Sequence, residues 1–362
     1  MSANRSLISP TSNSLLEQAL RDKLKRRSEI TGNLGELEPL AVRIGLIQNT
    51  LKPRFESPQL ALFAADHGLA VDGVCSNASG QPSTASLVQD LLGARLPVSV
   101  FARIQGMALN VVDCGVAESV AAHPRLLARK IAHGTRNLRV TSAMSLDQAH
   151  AAIRAGMEIA DALAGNVIAC AGMGIGSHES AALVLSGLSG DAIRGLVMPQ
   201  VPLSTEADAL LTMVMTTAQG RHGHLTDAVE VLAACGGFEI AMMVGVMLVA
   251  ASKRHLIMVD GLPACAALMA ASRIAPTVTD YCVFCRSHSH PGLTQALSLF
   301  HAMALLELGM ESTDGTGATL AYPLVRSAAA LLTDVAEGED PGPSLPAAMN
   351  GLSPGGKSAV VR

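Results

Sequence analysis

The sequence predicts an α/β fold with a mostly parallel sheet and flanking helices. Short apolar runs alternate along the chain with Ala-rich segments of helical periodicity. The short runs end in small or polar residues, as the buried strands of parallel sheets do. The core must be aliphatic, because aromatic residues make up 2% of the chain, Trp is absent and 16 Met are present.

Length and composition limit the classes to which the chain can belong. Its 362 residues are 49% hydrophobic and 15% charged, which suffices for one large domain, or for one large and one small. The net charge is −4, without a basic stripe or an aromatic stacking surface, so we expect no nucleic-acid partner. The longest apolar run, Ile240–Ala251, is too short to span a membrane, and Met1–Pro10 lacks the apolar core of a signal peptide. We therefore expect a cytoplasmic protein with reduced Cys residues.

Helices are predicted where apolar residues recur at helical spacing. The first two cover Leu15–Ile30 and Leu34–Gln48, and Ser145 with Gln148 forms the capping box of a helix that ends near Ala164. The other predicted helices are, in chain order, Thr84–Gln105, one after Glu179, Glu206–Thr217, Thr226–Ala234, Ile240–Ala251, Pro263–Arg273, Thr294–His301 and Thr319–Val335. Residues 1–12 and 337–362 are rich in Ser, Pro, Asn or Gly, and we expect them to be disordered or flexible.

Five strands are predicted, and four of them lead directly into candidate site motifs. The strands are Leu60–Ala65, Leu109–Asp113, Val167–Ala171, Leu256–Val259 and Tyr281–Phe284. The motifs that follow the first four are Asp66-His67-Gly68, Asp113-Cys114-Gly115, Gly172–Gly176 and Asp260-Gly261. Ligands of parallel sheets sit outside the carboxyl ends of the strands, so these motifs should converge on one crevice.

The glycine turn at Gly172, Gly174 and Gly176 gives the strongest chemical signal. Glycines bring backbone N–H groups close to a ligand, and the following helix begins with unpaired donors, so this unit suits a phosphate. A tight strand–helix turn without a ligand explains the same pattern. The acidic residue of a dinucleotide site and the Lys of a Walker loop are not found at the required spacing.

Two acidic motifs each allow more than one role. Asp314 precedes the last helix, where its carboxylate could act as a general base or could cap the helix, and capping is the commoner role. Asp66-His67 could activate water or bind a metal, although hydrogen bonding to neighbouring loops is the more ordinary explanation.

Cys282 and Cys285, with His288 and His290, form the one pattern with zinc-ligand composition. Side chains three residues apart on a strand point to opposite faces, which disfavours a shared metal. Core cysteines with loop histidines are therefore expected, and no metal or cofactor is predicted.

Seven short motifs occur in a fixed order over roughly Leu60–Leu332. They are Ala64-Ala65-Asp66-His67-Gly68, Val111-Val112-Asp113-Cys114-Gly115-Val116, Lys130-Ile131-Ala132-His133-Gly134-Thr135-Arg136-Asn137, Met173-Gly174-Ile175-Gly176, Gly236-Gly237-Phe238-Glu239-Ile240, Val259-Asp260-Gly261 and Gly315-Thr316-Gly317-Ala318. As a set they resemble the nicotinate-nucleotide–dimethylbenzimidazole phosphoribosyltransferase family of cobalamin nucleotide-loop assembly.

The resemblance implies an architecture and a reaction. It implies a Rossmann-like large domain over residues 51–318, a small helical domain from residues 13–50 and 319–336, and a homodimer. The implied reaction moves the phosphoribosyl group of nicotinate mononucleotide to 5,6-dimethylbenzimidazole or a related base, giving α-ribazole phosphate and nicotinate. No metal or other cofactor is implied.

The resemblance also implies site residues. Asp314 occupies the position of the family's proposed catalytic Glu. The implied substrate contacts are Asp66, His67, Ser79, Gln81, Gly172, Met173, Gly174, Ile175, Gly176, Ser177, Gly315, Thr316 and Gly317. The sequence departs from the family at two acidic positions: Asp314 is one methylene shorter than Glu, and Gly172 replaces a Glu, for which His178 or Glu179 could substitute.

Two other functions fit the same residues. A non-catalytic relative that binds a nucleotide or an aromatic base would keep the framework motifs and lose acidic groups at the site. A hydrolase using Asp66-His67 would require those two side chains to reach a substrate.

Overall fold

A seven-stranded parallel sheet organises the computed structural model, which describes residues 8–75, 82–197, 205–287, 291–310 and 312–335. The strands are β1 (Gln59–Ala65), β2 (Ala108–Gly115), β3 (Leu126–Ala128), β4 (Val167–Met173), β5 (Leu256–Val259), β6 (Cys282–Arg286) and β7 (Ala304–Leu306). Their order is β3-β2-β1-β4-β5-β6-β7, and every neighbouring pair is parallel. The predicted fold class is confirmed.

The sheet reverses its direction of growth between β1 and β4. The chain moves outward from β1 through β2 to β3, and then returns to place β4 on the other side of β1. The two strands pair in register, with Leu62 opposite Ala171, and every residue of both strands is buried. A topological switch point of this kind opens a crevice between the carboxyl ends of its two strands.

Thirteen α-helices lie in the described part of the chain, and several match predicted segments closely. They are α1 (Ser14–Thr31), α2 (Leu37–Ile47), α3 (Thr84–Leu92), α4 (Pro97–Ile104), α5 (Leu146–Ala162), α6 (Ser177–Ser189), α7 (Ile193–Val197), α8 (Thr205–His222), α9 (Ala228–Cys235), α10 (Phe238–Ser252), α11 (Leu262–Ile274), α12 (Pro291–Leu299) and α13 (Thr316–Thr333). The capping box that begins α5 is present in both directions, from Gln148 N to Ser145 Oγ and from Ser145 N to Gln148 Oε1. Helix α10 is buried along nearly its whole length and packs against α5, β1 and β4.

One predicted helix, Thr84–Gln105, is wrong. Residues 93–96 break it into α3 and α4, and Pro97 starts the second helix. The residue before a proline is disfavoured in the α conformation, and Leu96 is extended. The edge strands β3 and β7, three residues each, were not predicted because so short a run carries no periodicity.

The two ends of the described chain lie together. Helices α1, α2 and α13 contact one another, while α13 also contacts α4, β6 and β7. The division into a small helical domain and a large domain over residues 51–318 remains a prediction. Residues 337–362 lie outside the described part of the chain.

The predicted disorder of residues 1–12 does not hold for residues 8–12. Ile8 is buried, its carbonyl accepts a hydrogen bond from Thr277 Oγ1, and Tyr281 Oη donates to the carbonyl of Ser9. The N–H of Thr11 donates to Asp280 Oδ2. Within the described ranges, no helix combines the length and apolar character needed to cross a membrane.

Candidate active site

Asp66 joins three chain segments at the switch point. Its Oδ1 accepts hydrogen bonds from the Ile175 N–H (3.2 Å) and from the Thr84 hydroxyl, and its Oδ2 accepts from the Ala117 N–H at 2.7 Å. Since both carboxylate oxygens are used within the protein, Asp66 fixes the loops after β1, β2 and β4 relative to one another. This is the loop-bonding role that the sequence favoured.

His67 is sealed inside the protein beside an acid. Its Nε2 lies 2.9 Å from Oε1 of Glu239, and the same oxygen accepts a hydrogen bond from Ser177 Oγ at 2.8 Å. The side chains of His67 and Glu239 are both 0% exposed, so neither reaches a substrate. The hydrolase alternative, which requires accessible Asp66 and His67, is therefore wrong.

Opposing effects act on the pKa of His67. Burial alone would lower the pKa, but the charge and hydrogen bond of Glu239, helped by the charges of Asp66 and Glu179, raise it above the ordinary value. The two side chains thus form a buried ion pair when His67 is protonated. The pair joins the loop after β1 to the first turn of α10.

The glycine bend after β4 is packed tightly against β1. Gly174 has a φ of +144°, and a Cβ at this position would lie 1.6 Å from the Ala65 carbonyl oxygen, so no other residue fits. The N–H of Ile175 is occupied by Asp66, which leaves it unavailable to a phosphate. Gly174 and Ile175 are nevertheless half-buried, while Gly172, Met173, Gly176 and Ser177 are buried.

Asp314 does not cap the last helix, so the capping role favoured from the sequence is wrong. The cap comes from Asp260 at the end of β5, whose Oδ2 accepts hydrogen bonds from the N–H groups of Gly315 (2.8 Å) and Ala318 (2.9 Å). Gly315, Thr316 and Gly317 are buried in the first turn of α13. The carboxylate of Asp314 instead contacts Arg286 and His178.

Asp314 belongs to a network that we call the Asp260–Arg286–Asp314–His178 cluster. Arg286 Nη2 donates to Asp314 Oδ1 at 2.5 Å, and its Nε forms an ion pair with Asp260 Oδ1 at 2.8 Å. On the other side, His178 Nε2 lies 3.3 Å from Asp314 Oδ2. The cluster thus joins the ends of β5 and β6 to the start of α6 and to the loop that leads into α13.

The side chains of the cluster differ in how much of their surface is exposed to solvent. The side chains of Asp260, Arg286 and Asp314 are 0%, 1% and 6% exposed, whereas that of His178 is 32% exposed. Asp314 lies directly over Gly261, which has a φ of +94° and where a Cβ would come within 2.2 Å of Asp314 Oδ2. This close approach explains the glycine of the Val259-Asp260-Gly261 motif.

The pKa values within the cluster follow from its charges. Burial alone would raise the pKa of Asp314, but the hydrogen bond and charge of His178, together with Arg286, hold it below the ordinary value. Burial alone would lower the pKa of His178, yet the hydrogen bond and charge of Asp314 and the charge of Glu179 raise it, against the opposing charge of Arg286. For Asp260, burial raises the pKa more than Arg286 lowers it.

Several predicted site residues fall elsewhere. Ser79, Gln81, His288 and His290 lie outside the described residues. Cys282 and Cys285 are both buried in β6, where Cys282 Sγ contacts the Val278 carbonyl oxygen at 3.4 Å and burial raises the pKa of each thiol. Among the described residues, no group of three or more His, Cys, Asp or Glu side chains could hold a metal ion.

Arg286 and Glu239 contact the predicted site residues but were not themselves predicted from the sequence. Arg286 ends the apolar run Cys282–Arg286, and a charged residue at the end of a buried strand signals a buried partner. Glu239 stands likewise inside the apolar segment that became α10. In both cases the signal was a charge where the pattern required an apolar residue.

A wide groove elsewhere on the surface is separate from this site. It has a volume of about 1150 Å³ and is lined by residues of α2, the end of α11 and the start of β6 and β7, including Leu37, Arg43, Phe284 and Met303. The groove therefore lies toward the amino ends of β6 and β7. The His67–Glu239 pair and the Asp260–Arg286–Asp314–His178 cluster lie at the carboxyl ends of the strands.

Known proteins resemble this chain along most of its length. A family model described as phosphoribosyltransferase matches residues 8–342. The nicotinate-nucleotide–dimethylbenzimidazole phosphoribosyltransferase of Dechloromonas aromatica is 40% identical over 337 residues, which cover 91% of this chain and 96% of that protein. The protein of the same name from Cupriavidus taiwanensis is 41% identical over 327 residues, covering 89% and 92%. The crystal structure of the Thermus thermophilus protein of that name superposes with a TM-score of 0.81 at 28% identity, covering 89% of this chain and 96% of that one.

Proposed function

Because this chain belongs to the nicotinate-nucleotide–dimethylbenzimidazole phosphoribosyltransferase family, we propose that it transfers phosphoribosyl from nicotinate mononucleotide to 5,6-dimethylbenzimidazole or a related base. The products are α-ribazole phosphate and nicotinate. The observation that carries the proposal is the 40% identity to a protein of that name over 91% of the chain. The acid at position 314, set at the carboxyl edge of the sheet, supports it.

The reaction has modest chemical requirements. A ring nitrogen of the neutral benzimidazole attacks the anomeric carbon, and the bond from that carbon to the pyridine nitrogen breaks. The pyridinium of the donor leaves with the bonding electron pair as nicotinate. The second ring nitrogen of the benzimidazole becomes acidic as positive charge builds, and its proton must be taken up near the crevice.

We place the two substrates at the carboxyl ends of β1, β4 and β5. Asp314 provides the anionic charge that favours proton removal from the base, and the half-buried Gly174 and Ile175 mark the side where the phosphoribosyl group lies. A further set of residues holds Asp314 and the glycine bend in position through contacts within the protein. They are Asp66, His67, Ser177, Gly315, Thr316 and Gly317. Their buried contacts make them positioning residues in this scheme.

Position 172 contributes no acid. A Cβ on Gly172 would lie 2.7 Å from Cβ of Pro263 and 3.1 Å from Cε of Met243, so the volume that a longer side chain needs is already filled. The proposed reaction therefore depends on the one acidic position at Asp314 and on the groups that contact it.

We further propose that the protein acts in the cytoplasm as a homodimer. The family resemblance supports the homodimer. Sedimentation of the full-length chain at micromolar concentration tests it, and a monomer that is fully active in the transfer assay would contradict it.

The transfer assay uses the full-length protein with nicotinate mononucleotide and 5,6-dimethylbenzimidazole. We expect nicotinate to be released in equal amount to α-ribazole phosphate, both measured by chromatography with mass detection. Omitting the base controls for hydrolysis of the donor. Tight binding of the donor by calorimetry, without nicotinate release for any benzimidazole or purine tested, would instead favour a non-catalytic binding protein.

A further inference from the structure

One carboxylate oxygen connects three segments around the glycine bend after β4. Oε1 of Glu239, in the first turn of α10, accepts a hydrogen bond from Ser177 Oγ at 2.8 Å and lies 2.9 Å from Nε2 of His67. Ser177 begins α6, directly after the bend, and the N–H of His67 donates to the Ile175 carbonyl within the bend at 3.0 Å. The position of the bend relative to β1 therefore depends on Glu239.

The His67–Glu239 pair is closed off from solvent and from other partners. Both side chains are 0% exposed, and a Cβ on Gly237 would overlap with Oε2 of Glu239 and with Cε1 of His67. Within the described ranges, neither Oε2 of Glu239 nor Nδ1 of His67 has a hydrogen-bond partner. If one member of the pair loses its charge, no other hydrogen bond to these two atoms compensates for the loss.

The net charge of the pair depends on the proton of His67. With the carboxylate of Glu239, a protonated imidazole gives a net charge of zero, and a neutral imidazole leaves the negative charge uncompensated. A buried negative charge repels a nearby anion more strongly than an exposed one, because little water screens it. The donor nicotinate mononucleotide carries such an anion in its phosphate.

We propose that Glu239 is a positioning residue for the phosphoribosyl donor and that its pairing with His67 makes donor binding depend on one proton. The proposal rests on the transfer reaction proposed above, which places the phosphoribosyl group at the glycine bend. While the pair is intact, its contacts with Ser177 and with the loop after β1 hold the bend. Loss of the His67 proton weakens the pair and leaves a negative charge beside the bend, and both effects weaken donor binding.

The surrounding groups set the direction of the pH dependence. Four other titratable side chains lie close to the pair, namely Asp66, Glu179, Cys75 and Cys114. Burial raises the pKa of both thiols, so they remain uncharged. Burial alone would lower the pKa of His67, but Glu239, followed by Asp66 and Glu179, raises it above the ordinary value. Donor affinity should therefore fall as the pH rises above about 6.5 and through the folded pKa of His67.

The test is the dissociation constant of nicotinate mononucleotide, measured by calorimetry with the full-length protein at pH values above about 6.5. For wild type it should rise about fivefold or more as the pH rises. Calorimetry in buffers of different ionisation enthalpy should also show that donor binding takes up protons. The donor phosphate has a second pKa of about 6, and its ionisation contributes equally to wild type and variants, so comparing them removes it.

Three variants separate the charge of Glu239 from its contacts. Glu239→Gln keeps an oxygen acceptor for Ser177 and removes the charge, so donor binding should lose its pH dependence and take up fewer protons. His67→Gln removes the titrating group and should likewise flatten the profile. Ser177→Ala removes one contact and keeps the pair, so donor binding should weaken at every pH while its pH dependence persists. Glu230→Gln, at an exposed position in the first turn of α9, is the matched control and should behave as wild type.

Three results would overturn the proposal: a wild-type dissociation constant that does not rise with pH, the same rise in Glu239→Gln as in wild type, or a wild-type dissociation constant in Ser177→Ala. The first measurement decides even if the variants fail to fold. Wild type that binds the donor with the expected pH dependence, but releases no nicotinate with any base, would support the role of Glu239 and count against the transfer reaction alone.

Discussion

Arg286 and Asp260 form an ion pair that is almost completely shielded from water. Nε of the guanidinium lies 2.8 Å from Oδ1 of the carboxylate, and the two side chains are 1% and 0% exposed. Nη2 of Arg286 also binds Asp314, so one guanidinium neutralises two buried acids. The Asp260–Arg286–Asp314–His178 cluster is therefore held by its central cation.

Replacing Arg286 with Met should lower the free energy of unfolding. The change leaves Asp260 and Asp314 as buried acids without their shared cation, which should cost about 3–5 kcal/mol of unfolding free energy in urea. Arg21→Met removes an exposed ion pair with Glu17 and should cost at most about 1 kcal/mol. Equal losses in the two variants would show that the buried pairing adds nothing.

The framework could be predicted from the sequence because its signals are local. Strands β1 and β4 are continuous apolar runs, and the capping box before α5 spans four residues. The cluster could not be predicted in the same way, since Arg286 and Asp314 are 28 residues apart and His178 and Asp314 are 136 apart. The sequence identified Asp314 as a candidate, but only the folded chain places Asp260 on the helix amides that Asp314 was expected to cap.

Asp66→Asn tests whether the loops at the switch point depend on one carboxylate. The amide keeps one oxygen acceptor and replaces the other with a donor, so it cannot accept from Ala117 and also from Ile175 and Thr84. We expect a loss of about 1.5–3 kcal/mol in unfolding free energy. We also expect a higher KM for nicotinate mononucleotide with a smaller change in kcat, because the glycine bend loses its anchor.

The control for this variant is Asp147→Asn, at an exposed position in the first turn of α5. This change should lower the unfolding free energy by less than about 1 kcal/mol and leave the KM for nicotinate mononucleotide unchanged. A normal KM in Asp66→Asn would mean that the bend is held without the carboxylate.

His67 should make stability depend on pH. Its pKa in the folded protein is raised, chiefly by Glu239 acting against burial. The stabilisation is therefore complete below the unfolded pKa of about 6.5 and is lost as the pH rises through the folded value. The unfolding free energy of wild type should fall as the pH rises above about 6.5, and it should fall less in Glu239→Gln and in His67→Gln.

The pKa of His178 is also raised in the folded protein, so His178 likewise makes the unfolding free energy fall as the pH rises. The effect of His67 is therefore measured as the difference in unfolding free energy between wild type and each variant. His150→Gln should follow the wild-type curve, since that side chain is exposed on α5. A His67→Gln curve parallel to that of wild type would show that the His67–Glu239 pair does not titrate over this range.

Restoring a side chain at position 172 should destabilise the protein and should not increase activity. A Cβ there would meet the rigid ring of Pro263 at 2.7 Å, so Gly172→Ala should cost about 1–3 kcal/mol of unfolding free energy. Gly172→Glu should cost more, because it also buries a carboxylate. Gly220→Ala is the matched control: that position in α8 has open space, and the change should stabilise by up to about 1 kcal/mol.

The double variant Gly172→Ala with Pro263→Ala separates crowding from other causes of the loss. If the contact with Pro263 is responsible, the double variant should be more stable than the sum of the two single changes predicts, by about 0.5–3 kcal/mol. If the two single changes in unfolding free energy simply add, the contact with Pro263 is not the cause of the loss. A gain of transfer activity in Gly172→Glu would mean that position 172 can still supply an acid, and proton removal would then not depend on Asp314 alone.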